Sequence, residues 1–123
     1  TTQPPWQTDD TRQKGPTPLG KYLIGKRRAN SNYNNIDWYN LYPKKEDGSG
    51  YYGYYTPNRN GRDKMGLHPG LVSEGCVTVK VPYGTPRSEY NNYNCWQKMR
   101  QVIDSGDMSY NHSKYSGYLY VRY

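Results

Sequence analysis

Two side chains in this chain of 123 residues carry the elements of nucleophilic catalysis: His68 and Cys76, eight positions apart. The chain has only two histidines and two cysteines, and one of each falls in this short stretch. A thiol attacks a carbonyl only as thiolate, and an ordinary cysteine is mostly protonated at neutral pH. A histidine within hydrogen-bond reach takes that proton and returns it to a leaving amine. Gly75, directly before the sulfur, gives the backbone freedom and leaves room for a substrate. The N–H groups around Gly75 and Cys76 are then placed to form an oxyanion hole for a tetrahedral intermediate. A plainer alternative stands beside this one. A lone cysteine before a valine-rich strand is often a small buried hydrophobe, and a histidine beside proline is often a turn residue.

The elements around the pair are legible in outline. Pro69-Gly70 is a strong turn dipeptide, after which the chain is expected to double back so that the flanking residues face each other. Val77, Val79 and Val81 alternate with Thr78 and Lys80, the pattern of a half-buried strand, which puts Cys76 at the strand's first residue.

Ser73-Glu74-Gly75-Cys76-Val77 resembles the Ser/Thr-His-Gly-Cys-hydrophobic signature of L,D-transpeptidases of the YkuD type. Upstream, Thr17-Pro18-Leu19-Gly20-Lys21-Tyr22-Leu23-Ile24 resembles the Thr-Pro-x-Gly-x-Tyr/Phe-x-Ile segment of the same family. Glu74 and Thr78 depart from the usual histidine and the usual arginine or asparagine, and His68 is closer to the cysteine than in most members. A compact subgroup, the L,D-transpeptidase-like toxins of type VI secretion, is more similar: Arg62, Leu67, His68, Pro69, Ser73, Gly75, Cys76, Val77 and Thr78 match its pattern. The similarity spans roughly residues 15 to 82.

The resemblance implies a cysteine enzyme of peptidoglycan. Cys76 would attack the carbonyl that joins an L-centre diamino acid to D-alanine, with His68 as base. Water would resolve the thioester in a carboxypeptidase, and an amine in a transpeptidase or an exchange reaction. Ser73 is expected to hydrogen-bond near the site or to serve turn chemistry. Arg62 is expected to bind a substrate carboxylate or to form a surface salt bridge. No third member of the catalytic group is visible, and a backbone carbonyl is expected to orient His68. The resemblance also implies secretion into the periplasm of a target bacterium, stem peptides as substrate, and an immunity protein that plugs the cleft. No metal or other cofactor, no nucleic-acid partner and no stable membrane insertion are expected, and the sequence has no Cys/His cluster of the zinc type.

Composition bounds these expectations. The chain suffices for one domain, with residues 1–15 as a polar lead-in; the resemblance implies that 16–123 is the catalytic domain. It has no stretch long enough to span a bilayer. It has sixteen tyrosines, three tryptophans and no phenylalanine, so tyrosine must either fill the core or line a binding surface. A net charge of +7 favours anionic partners, of which stem peptides and nucleic acid are both examples. Two rival functions therefore accompany the enzyme: a basic, tyrosine-rich module stacking single-stranded nucleic acid, and a non-catalytic wall-binding domain. Lys26-Arg27-Arg28 is too short for a basic arm and is expected at a solvated strand end or turn. Cys95 is expected to be buried and inert, and His112 to sit in a polar loop without a role.

The remaining pattern predicts a small, mostly antiparallel β-sandwich or barrel-like domain with one packed helix, mainly β in the α+β sense. Strands are expected at 22–24, 37–42 and 51–55, with a loop at 29–35 and an Asp47-Gly48 hairpin turn within 44–50. A helix is expected over 89–105, with Ser88 as N-cap and Gly106 as stop. Gly117 to Tyr123 is expected to close the chain as a strand, with Leu119 and Val121 on one face and Tyr118 and Tyr120 on the other.

Overall fold

The computed structural model describes residues 18–58, 61–70 and 77–122. The expected lead-in lies outside the described residues. Among the described residues, seven strands and one α-helix follow in chain order: β1 Gly20–Asn30, β2 Ile36–Pro43, β3 Gly66–Gly70, β4 Val77–Lys80, α1 Asn94–Asp104, β5 Met108–Tyr110, β6 Ser113–Tyr115 and β7 Gly117–Val121. Five strands form one sheet in the order β4-β3-β2-β1-β7, and β5 and β6 form a separate hairpin. The domain is thus mainly β with one helix, as the sequence pattern predicts.

β1 and β2 are joined through Ser31–Tyr33, a single 3₁₀ turn. The Asn30 side chain accepts from the Asn32 N–H at 3.1 Å, and Asn34 and Asn35 take φ of 56° and 59°. Asparagine is among the residues that best tolerate this left-handed conformation, so the asparagine-rich loop makes the reversal directly. The expected strand at 22–24 is therefore only the start of β1.

A register shift between Ile24 and Arg27 interrupts the β1–β2 pairing. It reassigns the basic run, which lies inside β1 rather than at a solvated end. Arg27 turns toward α1, while Arg28 pairs with Trp38 on β2.

One face of the sheet is the core. Tyr22, Ile24, Tyr39, Leu41, Met65 and Leu67 pack with Trp96 of α1, and Val79, Ile103, Leu119 and Val121 close the cluster. Tyrosine fills the role of phenylalanine because its hydroxyls find partners: Tyr22 Oη donates to Pro18 O at 2.6 Å, and Tyr39 Oη to Asp104 Oδ1 at 2.6 Å. Helix α1 is fastened by buried Asp37. Its Oδ2 accepts from Trp96 Nε1 at 2.9 Å and from Arg100 Nη1 at 3.0 Å, and Arg27 lies 3.5 Å from its Oδ1. Arg27 also pairs with Asp104 at 2.9 Å. Burial first, and then the Asp104 hydrogen bond, push the Tyr39 hydroxyl far above its ordinary pKa.

Several expectations are corrected. The helix is split: Arg87–Asn92 is 3₁₀, and Tyr93 at φ −67°, ψ 129° breaks it from α1. Ser88 therefore lies inside the 3₁₀ segment and is not the cap. Gly106 follows the helix as expected, and a Cβ there would overlap the Ser116 carbonyl. Residues 51–55 contribute only an isolated bridge, Lys44 to Tyr51, so the Asp47-Gly48 turn closes a stub rather than a full hairpin. Cys95, in the first turn of α1, is exposed rather than buried. His112 and Asn111, at φ 69° and 49°, form the two-residue turn of the β5–β6 hairpin. Strand β7 alternates as predicted, with Leu119 and Val121 against the core.

Candidate functional site

Pro69-Gly70 is not a turn. Both residues belong to β3, which pairs in parallel with β4: Leu67 with Val77, His68 with Thr78, Pro69 with Val79 and Gly70 with Lys80. The proline fits because β2 pairs with β3 only at Gly66 and Leu67, so Pro69, which has no N–H, lies beyond the β2 pairing. The chain thus does not fold back so that the residues flanking the loop meet. Instead, the residue that follows Cys76 in sequence pairs with the residue that precedes His68.

The opposite face of the sheet from the core carries His68. Tyr39 pairs with Leu67, and continuing that register brings Trp38 opposite His68. Arg28 pairs with Trp38, and His68 with Thr78. Arg28, Trp38, His68 and Thr78 therefore form one row across four neighbouring strands. The rings of Trp38 and His68 stack with centroids 4.6 Å apart and planes within 8°. Tyr33 stacks on Trp38 at 5.5 Å. Gly66 must be glycine, because a Cβ there would overlap the Trp38 indole.

The imidazole is oriented. His68 Nδ1 lies 2.9 Å from the Pro69 carbonyl, which only accepts, so Nδ1 carries the proton and donates it. In the neutral ring Nε2 then holds the lone pair, and it accepts from the Thr78 hydroxyl at 3.4 Å. Burial lowers the His68 pKa below its ordinary 6.5, against a smaller upward pull from the Pro69 hydrogen bond. The arrangement is a neutral imidazole at pH 7 with its basic nitrogen defined, which is what a general base requires.

Of the other expected site residues, Cys76, Ser73 and Gly75 lie outside the described residues. Arg62 is 1% exposed, so it lies in the interior rather than on the surface. Its N–H donates to Asn58 Oδ1 at 3.1 Å, and the Asn58 N–H donates to its carbonyl at 2.9 Å.

Sequence reasoning overlooked Arg28 and Trp38. The Arg28 guanidinium is half-buried and held by neutral acceptors: Nε donates to Asn40 Oδ1 at 3.0 Å and Nη2 to Tyr54 Oη at 3.2 Å. Asn40 Nδ2 donates in turn to Tyr42 Oη at 3.4 Å. The available signal was alternation: Trp38 lies out of phase with the core residues Tyr39 and Leu41 on the same strand. Among the described residues no group of three or more His, Cys, Asp or Glu is arranged to hold a metal ion. No helix among them is long and apolar enough to cross a membrane. No protein-family model, curated protein or solved structure matches the chain.

Proposed function

We propose that this protein is a cysteine-dependent enzyme of peptidoglycan stem peptides, acting as an L,D-carboxypeptidase or exchange transpeptidase, with Cys76 as nucleophile and His68 as base. The observation that carries this is the β3–β4 pairing. It brings an imidazole with a fixed tautomer beside the strand whose first residue follows Cys76. The Ser73-x-Gly75-Cys76 context and the Leu67-His68-Pro69 segment supply the similarity to L,D-transpeptidase-like toxins. The Pro69 carbonyl serves as the third, orienting group that no side chain in the sequence offered.

The chemistry follows from these roles. His68 Nε2 takes the thiol proton, and the thiolate adds to the carbonyl between the diamino acid and D-alanine. The same proton passes to the D-alanine amine as the C–N bond breaks, leaving a thioester on Cys76. Water, a free D-amino acid or another stem then displaces the thiolate. Delivery as an antibacterial toxin into a target periplasm, countered by an immunity protein, belongs to the same proposal and rests on the similarity alone.

The test is mass analysis of purified muropeptides after incubation with the wild type and with Cys76→Ala. Loss of D-alanine from tetrapeptides by the wild type alone is expected. Cleavage retained by a folded mutant, or absent from the wild type, refutes the assignment.

A further inference from the structure

At the β1–β7 side of the sheet, cationic and apolar side chains share one surface. Tyr22, Leu119 and Val121 belong to the core, so alternation turns Lys21, Tyr118 and Tyr120 to the opposite face. There the Lys21 ammonium lies 3.8 Å from the Tyr118 ring centroid and 5.7 Å from that of Tyr120. The Arg122 guanidinium carbon lies 6.0 Å from the Tyr120 centroid. Leu19 and Arg122 flank the last β1–β7 pair, Gly20 with Val121. Lys44 enters just past the end of β2. Its N–H donates to the Lys21 carbonyl at 3.0 Å, and continuing the Tyr22–Pro43 register sets the two lysines opposite each other.

Each half of this patch is unfavourable by itself. Like charges opposite each other on neighbouring strands repel. Yet among the described residues no carboxylate pairs with Lys21, Lys44 or Arg122, whereas Lys26, Arg27, Arg100 and Lys114 each have one. Beside these cations Leu19, Tyr118 and Tyr120 are 62%, 41% and 57% exposed. Unneutralised cations interleaved with uncovered apolar groups match a partner that is anionic and apolar at once. An anionic lipid surface has that composition, with phosphate oxygens outermost and acyl chains beneath. Lysine and tyrosine suit it, because each has an apolar body and a polar tip.

Ring geometry argues against single-stranded nucleic acid as the occupant. Base stacking needs free ring faces. Lys21 lies over the Tyr118 ring, Tyr51 stacks on it at 6.4 Å, and two cations flank Tyr120. Leu19 has no use at an oligonucleotide site, but at a bilayer it reaches the acyl boundary.

We infer that Leu19, Lys21, Lys44, Tyr118, Tyr120 and Arg122 form a docking surface for an anionic lipid bilayer, against which the domain lies without inserting a segment. This goes beyond the proposed function and is independent of it.

The experiment is co-sedimentation of the full chain with vesicles of phosphatidylcholine alone and of phosphatidylcholine with phosphatidylglycerol in equal parts. Binding is expected to the mixed vesicles only, and it should weaken as salt rises. Replacing Lys21, Lys44 and Arg122 together by Gln should weaken it about 100-fold. Replacing Lys64, Arg87 and Lys98 by Gln removes three exposed cations elsewhere and should weaken it about 10-fold at most. Leu19→Ser with Tyr120→Ser, which leaves the charge unchanged, should weaken it about 10-fold. The backbone spectrum of each variant verifies that it is folded. Equal binding to the two vesicles, equal losses in the two triple variants, or full binding by the Leu19 and Tyr120 variant overturns the inference. So does a single-stranded oligonucleotide that binds as tightly as the mixed vesicles and loses affinity in the Lys21, Lys44 and Arg122 variant. Release from the vesicles by inorganic phosphate, where chloride of equal ionic strength has no effect, would make this a phosphate site and overturns it too.

Discussion

The imidazole of His68 lies flat against the indole of Trp38, with ring centroids 4.6 Å apart and planes within 8°. Trp38 is 3% exposed, so it shields one face of the imidazole from water. Desolvation disfavours the charged form of histidine, and this contact is one source of the lowered His68 pKa. Trp38→Leu should therefore raise the His68 pKa toward its ordinary value, while Trp38→Phe, which keeps a stacked ring, should move it less. NMR titration of the His68 ring checks this. Equal pKa values in the wild type and Trp38→Leu would mean that the stack does not set the charge state.

The same shift has a consequence for stability. The folded-state pKa of His68 lies below the unfolded value of about 6.5. The unfolded chain therefore binds more protons in the window between the two, and stability rises with pH there. The contribution is complete above pH 6.5 and is lost as pH falls toward the folded pKa, with a slope of at most about 1.4 kcal/mol per pH unit. Urea denaturation of the wild type and His68→Gln at pH 7.5 and 5.5 measures the difference, which should shrink for the variant. Parallel pH dependence in both proteins contradicts it.

The proton-transfer role proposed for His68 makes a kinetic prediction. His68→Ala should lower turnover by on the order of 10²-fold or more. It should also slow alkylation of Cys76 near neutral pH, because no neighbouring base then promotes the thiolate. Exposed Cys95 must first be changed to serine so that labelling reports one site. Unchanged alkylation in the His68 variant removes His68 from the mechanism.

Gly66 tests the packing behind the row. A Cβ at this position would overlap the Trp38 indole, which has little room to move. Gly66→Ala should cost about 1–3 kcal/mol, the range for overpacking a filled site, and should shift the His68 ring signals as the indole is displaced. A thermal melt and a ring spectrum close to those of the wild type would show that the indole yields freely.

Asp37 tests the fastening of the helix. Its carboxylate accepts from Trp96 and Arg100 and faces Arg27. Asp37→Asn leaves an oxygen for Trp96 but removes the charge that two partly exposed arginines share. Removing one partner of a fully buried pair costs about 3–5 kcal/mol, and the exposure of the arginines reduces this to about 2 kcal/mol. The urea midpoint should fall with an unchanged slope. Turnover at low denaturant should persist, because Asp37 lies on the helix side of the sheet.

Local pattern carried much of this fold. Alternation places Leu119 and Val121 on the core face of β7, and the asparagine run makes the β1–β2 reversal, because side-chain direction and left-handed tolerance are properties of single residues and their neighbours. The candidate base was legible for the same reason: histidine and cysteine are scarce here, and their chemistry is intrinsic to the side chain. Pro69-Gly70 was misleading because a turn dipeptide records only local preference, and the pairing of β3 beside β4 overrode it. Likewise, the helix expected over 89–105 is broken by Tyr93, where that residue packs against the core. The row of Arg28, Trp38, His68 and Thr78 could only come from tertiary structure. Its members are spread over fifty positions of sequence, and what aligns them is the register of four strands, including a shift between Ile24 and Arg27 that no periodicity announces. Burial separated the arginines in the same way. Arg62 and Arg28 are equivalent as letters, but one is enclosed and the other is held at the site with its charge unmatched among the described residues.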